Sequence, residues 1–407
     1  MAANAACSAP EAGQAEADVS EARRWNVNDV SILYPLPEPG QGELLLPMRL
    51  PTEAGDKVLL PKAVFDMLGD DDASPYPFLF EAPGRDRAYE MLRVTAVRVD
   101  PCFESLDPAA DEACVHQIRL SAQVMSSPEE ASLDDASVHL FYELDDAAFV
   151  SFLLALRPLR LREQNEGNEP LGPHPVMRRE GLDGRWAQRL HEILLDACDE
   201  SNLVRMTFMA TGRSGNNWFW GVLQRGDHGE FAPGTIPVIE QASDAFTQFG
   251  TDDNPDGIPP ETTFEHPFFP GALLRGATID ALSDSEFDDA IDALARIQNP
   301  RLHSSATLNC AACHLAASTA HLATARRGLE AVPETPSAFD APTKQNVELV
   351  AAELGSRNMH AFSWFGGKPA ISPRVVHDSA VSAHYLSSKA FPDSLPAKLR
   401  KKWLSPD

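Results

Sequence analysis

The chain has 407 residues, with 60 acidic against 34 basic side chains and a formal net charge of −26. That balance argues against nucleic acid and anionic lipid surfaces as partners, because both would be repelled, and it favours a basic protein partner. The length suggests two or three domains, and no apolar run approaches the ~18 residues of a membrane helix.

Residues 1–24 are rich in Ala and Glu, lack apolar periodicity and read as a flexible tether. Within them Ala5-Ala6-Cys7-Ser8 looks like the tail of a bacterial lipoprotein cleavage site, which makes Cys7 a candidate lipid anchor. The apolar half of such a site is missing.

Residues 25–158 read as a β-rich α+β domain. Pro-punctuated strands are expected over 30–36 and 43–50. A short helix is expected over 61–68, with Pro61 at its start and Gly69 just past its end. Ile118, Leu120, Ala122 and Val124 alternate with polar residues, and so do Val138, Leu140, Tyr142 and Leu144. Such alternation marks a sheet with one face buried. An apolar helix over 147–156 is expected to pack on it. Cys102 and Cys114 flank a polar loop between two strand-like runs, a spacing that suits a disulfide.

Residues 157–175 are polar and read as a linker. A second α+β domain is expected over 176–275, with a helix over 186–197 and strands over 204–210, 218–224 and 236–239. Cys198, at the end of that helix, reads as a buried inert thiol. Asp252-x-Asn254-x-Asp256-Gly257 matches the first half of a calcium loop. Pro259, Pro260 and Thr263 depart from the pattern, so an acidic turn outweighs a calcium site.

Residues 280–407 read as helical. Ser283 and Glu286 form a capping pattern, and helices are expected over 283–298, 310–328, 346–354 and 374–386. The second of these opens with Cys310-Ala311-Ala312-Cys313-His314, the C-x-x-C-H spacing of covalent haem attachment. Two thiols on one turn can each form a thioether to a haem vinyl group, and the adjacent imidazole can ligate the iron from the same side. A zinc knuckle needs a second ligand pair, and none stands at suitable spacing. A thioredoxin-type pair would follow a strand, and residues 301–309 do not read as one.

The C-terminal segment resembles a c-type cytochrome, specifically over Cys310, Cys313 and His314 and loosely over 280–385. The resemblance leaves the first ~280 residues uncovered. The expected fold is multidomain, with α+β N-terminal and middle regions followed by an all-α cytochrome c-like haem domain over 280–407. The resemblance implies one covalent haem c on Cys310 and Cys313, His314 as proximal iron ligand, and electron transfer with a redox partner protein.

The alternative is a haem enzyme or sensor with an open iron position for peroxide, oxygen or nitric oxide. A dihaem peroxidase would show two such motifs, and this chain has one. Haem attachment needs export, so the expected location is periplasmic, or anchored to the outer membrane on that side, with the leader absent from the given chain.

The family often takes its second axial ligand from a downstream Met. Met359 is the only Met beyond the motif and the first choice for the metal; His360 is the second, followed by His377 and His384. His321 is excluded, because seven residues along one helix place it roughly 10.5 Å away on the same side. Lys368 and Arg374 are candidates to pair with the haem propionates, weighed against a solvated surface role. Lys398, Arg400, Lys401 and Lys402 form a basic patch that either complements a helix end or docks a partner.

Overall fold

In the computed structural model one antiparallel sheet organises the chain. Described are residues 24–404, apart from 54, 69–83, 105–113, 128, 130, 162–168, 212–216, 242, 248–275, 306, 343–344 and 350–359. The tether with Cys7, the calcium-like loop and Met359 lie outside the described residues.

Helix α1 (Val27–Val30) leads into β1 (Ser31–Leu33). Strands β2 (Arg49–Leu50) and β3 (Lys57–Val58) form a small ribbon, followed by α2 (Lys62–Asp66) and α3 (Gly84–Met91). The long strands β4 (Leu92–Glu104), β5 (Cys114–Ser127) and β6 (Ser132–Leu144) form a meander. Helices α4 (Asp146–Leu156), α5 (Pro175–Glu180) and α6 (Arg185–Ala197) follow. Then come β7 (Leu203–Thr211), β8 (Asn217–Arg225), β9 (Phe231–Pro233) and β10 (Ser243–Thr247).

The sheet order is β1-β4-β5-β6-β7-β8-β10, with β9 also on β8. Strand β6 pairs with β7 from Ser137↔Met209 to Tyr142↔Leu203. Segments 25–158 and 176–275 therefore build one sheet between them.

The alternation in β5 and β6 explains the first face of this sheet. Ile118, Leu120, Ala122, Leu140 and Tyr142 are wholly buried. They share a core with Phe149 and Leu153 of α4 and Leu190 and Leu194 of α6. Each buried Leu, Ile or Phe among them contributes roughly 1.5–3 kcal/mol by leaving water. The disulfide expected between Cys102 and Cys114 is formed and joins the facing ends of β4 and β5. Closing a loop of this length contributes about 3 kcal/mol. Cys198 is a buried free thiol in the same core, as expected.

The remaining elements are α7 (Gly276–Ala281), α8 (Asp284–Gln298), α9 (Cys310–Arg326), the hairpin β11 (Phe362–Phe365) and β12 (Lys368–Ile371), and α10 (Pro373–Ser387), α11 (Ala390–Ser394) and α12 (Ala397–Leu404). Ser283 and Glu286 form the expected capping box at α8.

This C-terminal segment is not all-α. Residues 362–371 form a hairpin, in which Gly366 and Gly367 adopt positive φ (54° and 77°) and close a two-residue turn. Nor is the segment a core of its own. Leu386, Phe391, Leu395 and Trp403 complete the core of the sheet's first face. Arg157 Nη2 donates to the Trp403 carbonyl at 2.9 Å, and Trp25 stacks on Trp403 at 6.4 Å.

Two further expectations are corrected. Residues 236–239 form a turn held by an Ile236–Gln241 bridge, with Val238 at φ 77°, and β10 supplies the edge strand. The described part of 346–354 is not helical, because Leu349 bridges Leu171 instead.

Buried histidines make the fold sensitive to acid, and His174 is the clearest case. His174 is fully buried, stacks on Trp186 at 4.0 Å, and neither ring nitrogen has a hydrogen-bond partner among the described residues. Burial pushes its pKa down to about 3. An unfolded His takes up a proton near pH 6.5, so the unfolded state binds more protons below that value. Stability is therefore lost as pH falls from about 6.5 towards about 3. Asp29 acts in the opposite sense. Burial pushes its carboxyl up from 3.8 to about 6, so the folded state binds more protons in that interval. Denaturant midpoints measured from pH 7 to 4 are expected to fall more steeply for the wild type than for His174→Phe; parallel curves would contradict this assignment.

Candidate functional site

The second face of the sheet carries polar and aromatic residues in rows that cross neighbouring strands. One row runs Arg98–Arg119–Phe141–Arg205. The next runs Ala96–Ser121–His139–Thr207–Val222, and the third Gln123–Ser137–Met209–Trp220.

Helix α9 lies over the β7–β8 side of this face. Ala311 and Leu315 pack against Met209, Trp218 and Trp220. Ala312, Ala316, Ala320 and Ala323 pack against Phe287, Ile291 and Leu294 of α8. Alanine is the best helix former and its methyl group lets both neighbours approach closely. Asn309 caps the helix, its side-chain oxygen accepting from the Ala312 amide at 3.0 Å. That bond satisfies one of the orphan amides of the first turn. Cys310 thus becomes the first helical residue, and Cys313 lies one turn on, on the same side.

Neither cysteine is in a disulfide, and both are half-buried. Burial pushes the Cys313 thiol above its ordinary value, with Arg374 acting against the rise. The Cys313 sulfur also feels Asp378, Arg98 and Arg119, whereas Cys310 acts on Arg205. The His314 ring lies 5.6 Å from the Trp220 ring, tilted by 48°.

Two further imidazoles lie within electrostatic reach of His314. His139 and His360 are both held neutral, their pKa values pushed down to about 3, first by burial and then by His314 as the strongest charged neighbour. The His139 ring keeps some solvent contact yet lies deep among packed atoms, and that depth governs its titration. A hydrogen bond to the Asp135 backbone works against the depression at His360. The His360 ring also stands edge-on to Trp218 at 6.5 Å.

Gln123 anchors the hairpin next to His360. Its Nε2 donates to the carbonyls of Trp364 at 2.9 Å and Asp134 at 3.0 Å. Its Oε1 accepts from the Trp364 amide at 3.0 Å and from the Ser363 hydroxyl. Trp364 Nε1 in turn donates to the Tyr34 carbonyl at 3.0 Å.

Cys310, Cys313 and His314 stand together at the start of α9, and His360 lies within electrostatic reach of His314. His377 faces elsewhere, bonding the Gln298 carbonyl at 2.7 Å and stacking on Phe339 at 4.4 Å. His384, His321 and Lys368 are exposed. Arg374 is buried rather than solvated, pairing with Asp378 at 3.3 Å and donating to the Ile297 carbonyl at 3.0 Å. Sequence reasoning missed His139, although its place on the polar side of an alternating strand was a readable signal. Among the described residues no three of His, Cys, Asp and Glu converge as a set of metal ligands, and no helix is long and apolar enough to cross a membrane.

Gln123→Leu removes four hydrogen bonds and leaves the Trp364 amide and carbonyl buried without partners. The expected cost is about 2–4 kcal/mol, read as a lower urea midpoint. An unchanged midpoint would show that Gln123 does not hold the hairpin. No protein-family model, no curated protein and no solved structure matches this chain, so its function is argued from the chemistry of the site.

Proposed function

We propose that this chain is an electron-transfer protein carrying one covalent haem c on Cys310 and Cys313, with His314 as proximal iron ligand. One observation carries the proposal: C-x-x-C-H opens the capped helix α9, which packs on Met209, Trp218 and Trp220, with His139 and His360 within electrostatic reach of His314.

The residues present fit the group. Cys310 and Cys313 stand one turn apart outside any disulfide, and each would hold one vinyl group of the haem through a thioether. His314 follows directly and supplies the ligand on that side. Met359, the first choice from the sequence, lies outside the described residues; among the described ones His360 is the second ligand proposed, since a hydrogen bond to the Asp135 backbone would hold its ring as an outer-shell partner holds a ligating imidazole. Trp218 and Trp220 offer apolar surface that excludes water. Bound haem supplies one-electron ferrous–ferric chemistry.

Covalent attachment implies an exported protein, periplasmic or anchored through Cys7. The net charge of −26 suits a basic redox partner.

The test is the absorption spectrum of protein matured with haem-attachment machinery. Six-coordinate low-spin iron is expected in both redox states. His360→Ala is expected to turn it high-spin and open to carbon monoxide, while His139→Ala leaves it low-spin. Wild-type iron that is high-spin and takes up carbon monoxide would replace the carrier with an enzyme or sensor for peroxide, oxygen or nitric oxide. Failure to take up haem at all would remove the proposal.

A further inference from the structure

Strand β8 presents two tryptophans on the second face of the sheet. Trp218 and Trp220 are two residues apart, and side chains at that spacing share one side of a strand. Both backbone positions are fixed from two edges. Trp220 pairs with Met209 of β7 and Asp244 of β10, and Trp218 pairs with Thr211 and Phe246. Both tryptophans are buried.

Each indole meets a different imidazole. The ring centres of Trp220 and His314 lie 5.6 Å apart, with the planes tilted by 48°. Those of Trp218 and His360 lie 6.5 Å apart, with the planes near perpendicular at 84°. Both separations fall in the range of attractive ring pairs. Phe365 of the hairpin adds a tilted contact to His360 at 6.2 Å. Ala311 and Leu315 of α9 rest on the same two indoles, so this platform also sets the position of the helix's first turns.

Tryptophan is not an obvious filler here. Neither indole Nε1 has a hydrogen-bond partner among the described residues, and a buried N–H without one is unfavourable. Leu or Phe would fill apolar space without stranding an N–H. What the indole adds is reach: a large, rigid ring on two side-chain torsions, extending from the strand to the imidazole in front of it.

We infer that Trp218 and Trp220 are positioning residues for the two imidazoles proposed as axial ligands. Trp220 braces His314, Trp218 braces His360, and one strand thereby sets both rings before haem is bound. The inference rests on the haem proposal with His360 as second ligand. Strands hold such groups more precisely than loops do. The two braces differ in consequence. His314 follows Cys313 directly in α9, so without its indole it stays beside the haem in an altered orientation. His360 stands outside that helix, and its place depends on its ring contacts and the Asp135 backbone.

Electron paramagnetic resonance and absorption spectra of the haem-loaded ferric protein test it, with folding checked by circular dichroism. Trp218→Leu should turn part of the low-spin signal high-spin and take up carbon monoxide once reduced. Trp220→Leu should stay low-spin with shifted g-values, because its imidazole plane turns. Trp218→Phe and Trp220→Phe, which keep a smaller ring, should fall between the Leu variants and the wild type. Folded Leu variants with the wild-type signals would overturn the inference. A measurement on the wild type decides the matter if those variants do not fold. With isotope-labelled tryptophan, at least two of the six indole N–H resonances should be displaced far from their ordinary range in the ferric state. They should return on reduction, since low-spin ferrous iron is diamagnetic. Six ordinary resonances in the ferric state would contradict the placement. Failure of the haem proposal is separately visible as wild type that takes up no haem, and failure of His360 as ligand as a low-spin spectrum unaltered by His360→Ala.

Discussion

Helix α9 buries two sides at once, its alanines meeting α8 on one side and Met209, Trp218 and Trp220 on the other. Everything at the site depends on this double contact. A larger residue at Ala311, Ala312 or Ala316 would have to push one layer away, and overpacking of that kind costs typically 1–3 kcal/mol. The cap at Asn309 sets where the helix starts, and so where Cys310 and Cys313 stand relative to the sheet. The sheet then supplies what a lone helical domain would have had to provide: aromatic surface and buried imidazoles.

The two faces of the sheet are built on different physics. The first is an apolar core shared with α4, α6 and the last three helices. The second keeps charge in a poorly solvated place, with Arg98, Asp100, Arg119, Arg374 and Asp378 tying α10 to β4 and β5. Such buried pairs add little net stability, but removing one partner is expensive. They define the site's shape more than they strengthen the fold, and Gln123 performs the same service for the hairpin beside His360.

Much of the fold was legible in the sequence. Period-2 alternation revealed β5 and β6, the strands expected over 204–210 and 218–224 are β7 and β8, the Ser283–Glu286 pattern revealed the start of α8, and the spacing of Cys102 and Cys114 anticipated the disulfide. The domain plan was not legible, because the pairing of β6 with β7 spans some sixty intervening residues and leaves no local mark. The hairpin at 362–371 was hidden because its two four-residue strands are too short to show a period. Of the site, Cys310, Cys313 and His314 were readable as a motif, whereas His139 acquires meaning only when register brings four strands side by side.

The central claim is that Cys310 and Cys313 carry a haem, and intact mass spectrometry tests it most directly. Protein matured with haem-attachment machinery and then extracted with acid–acetone is expected to weigh one haem more than its polypeptide. The added mass should map to the peptide spanning Cys310 to His314 and vanish in Cys310→Ala/Cys313→Ala. A bare polypeptide mass after such maturation, or haem that leaves on extraction, would contradict the account.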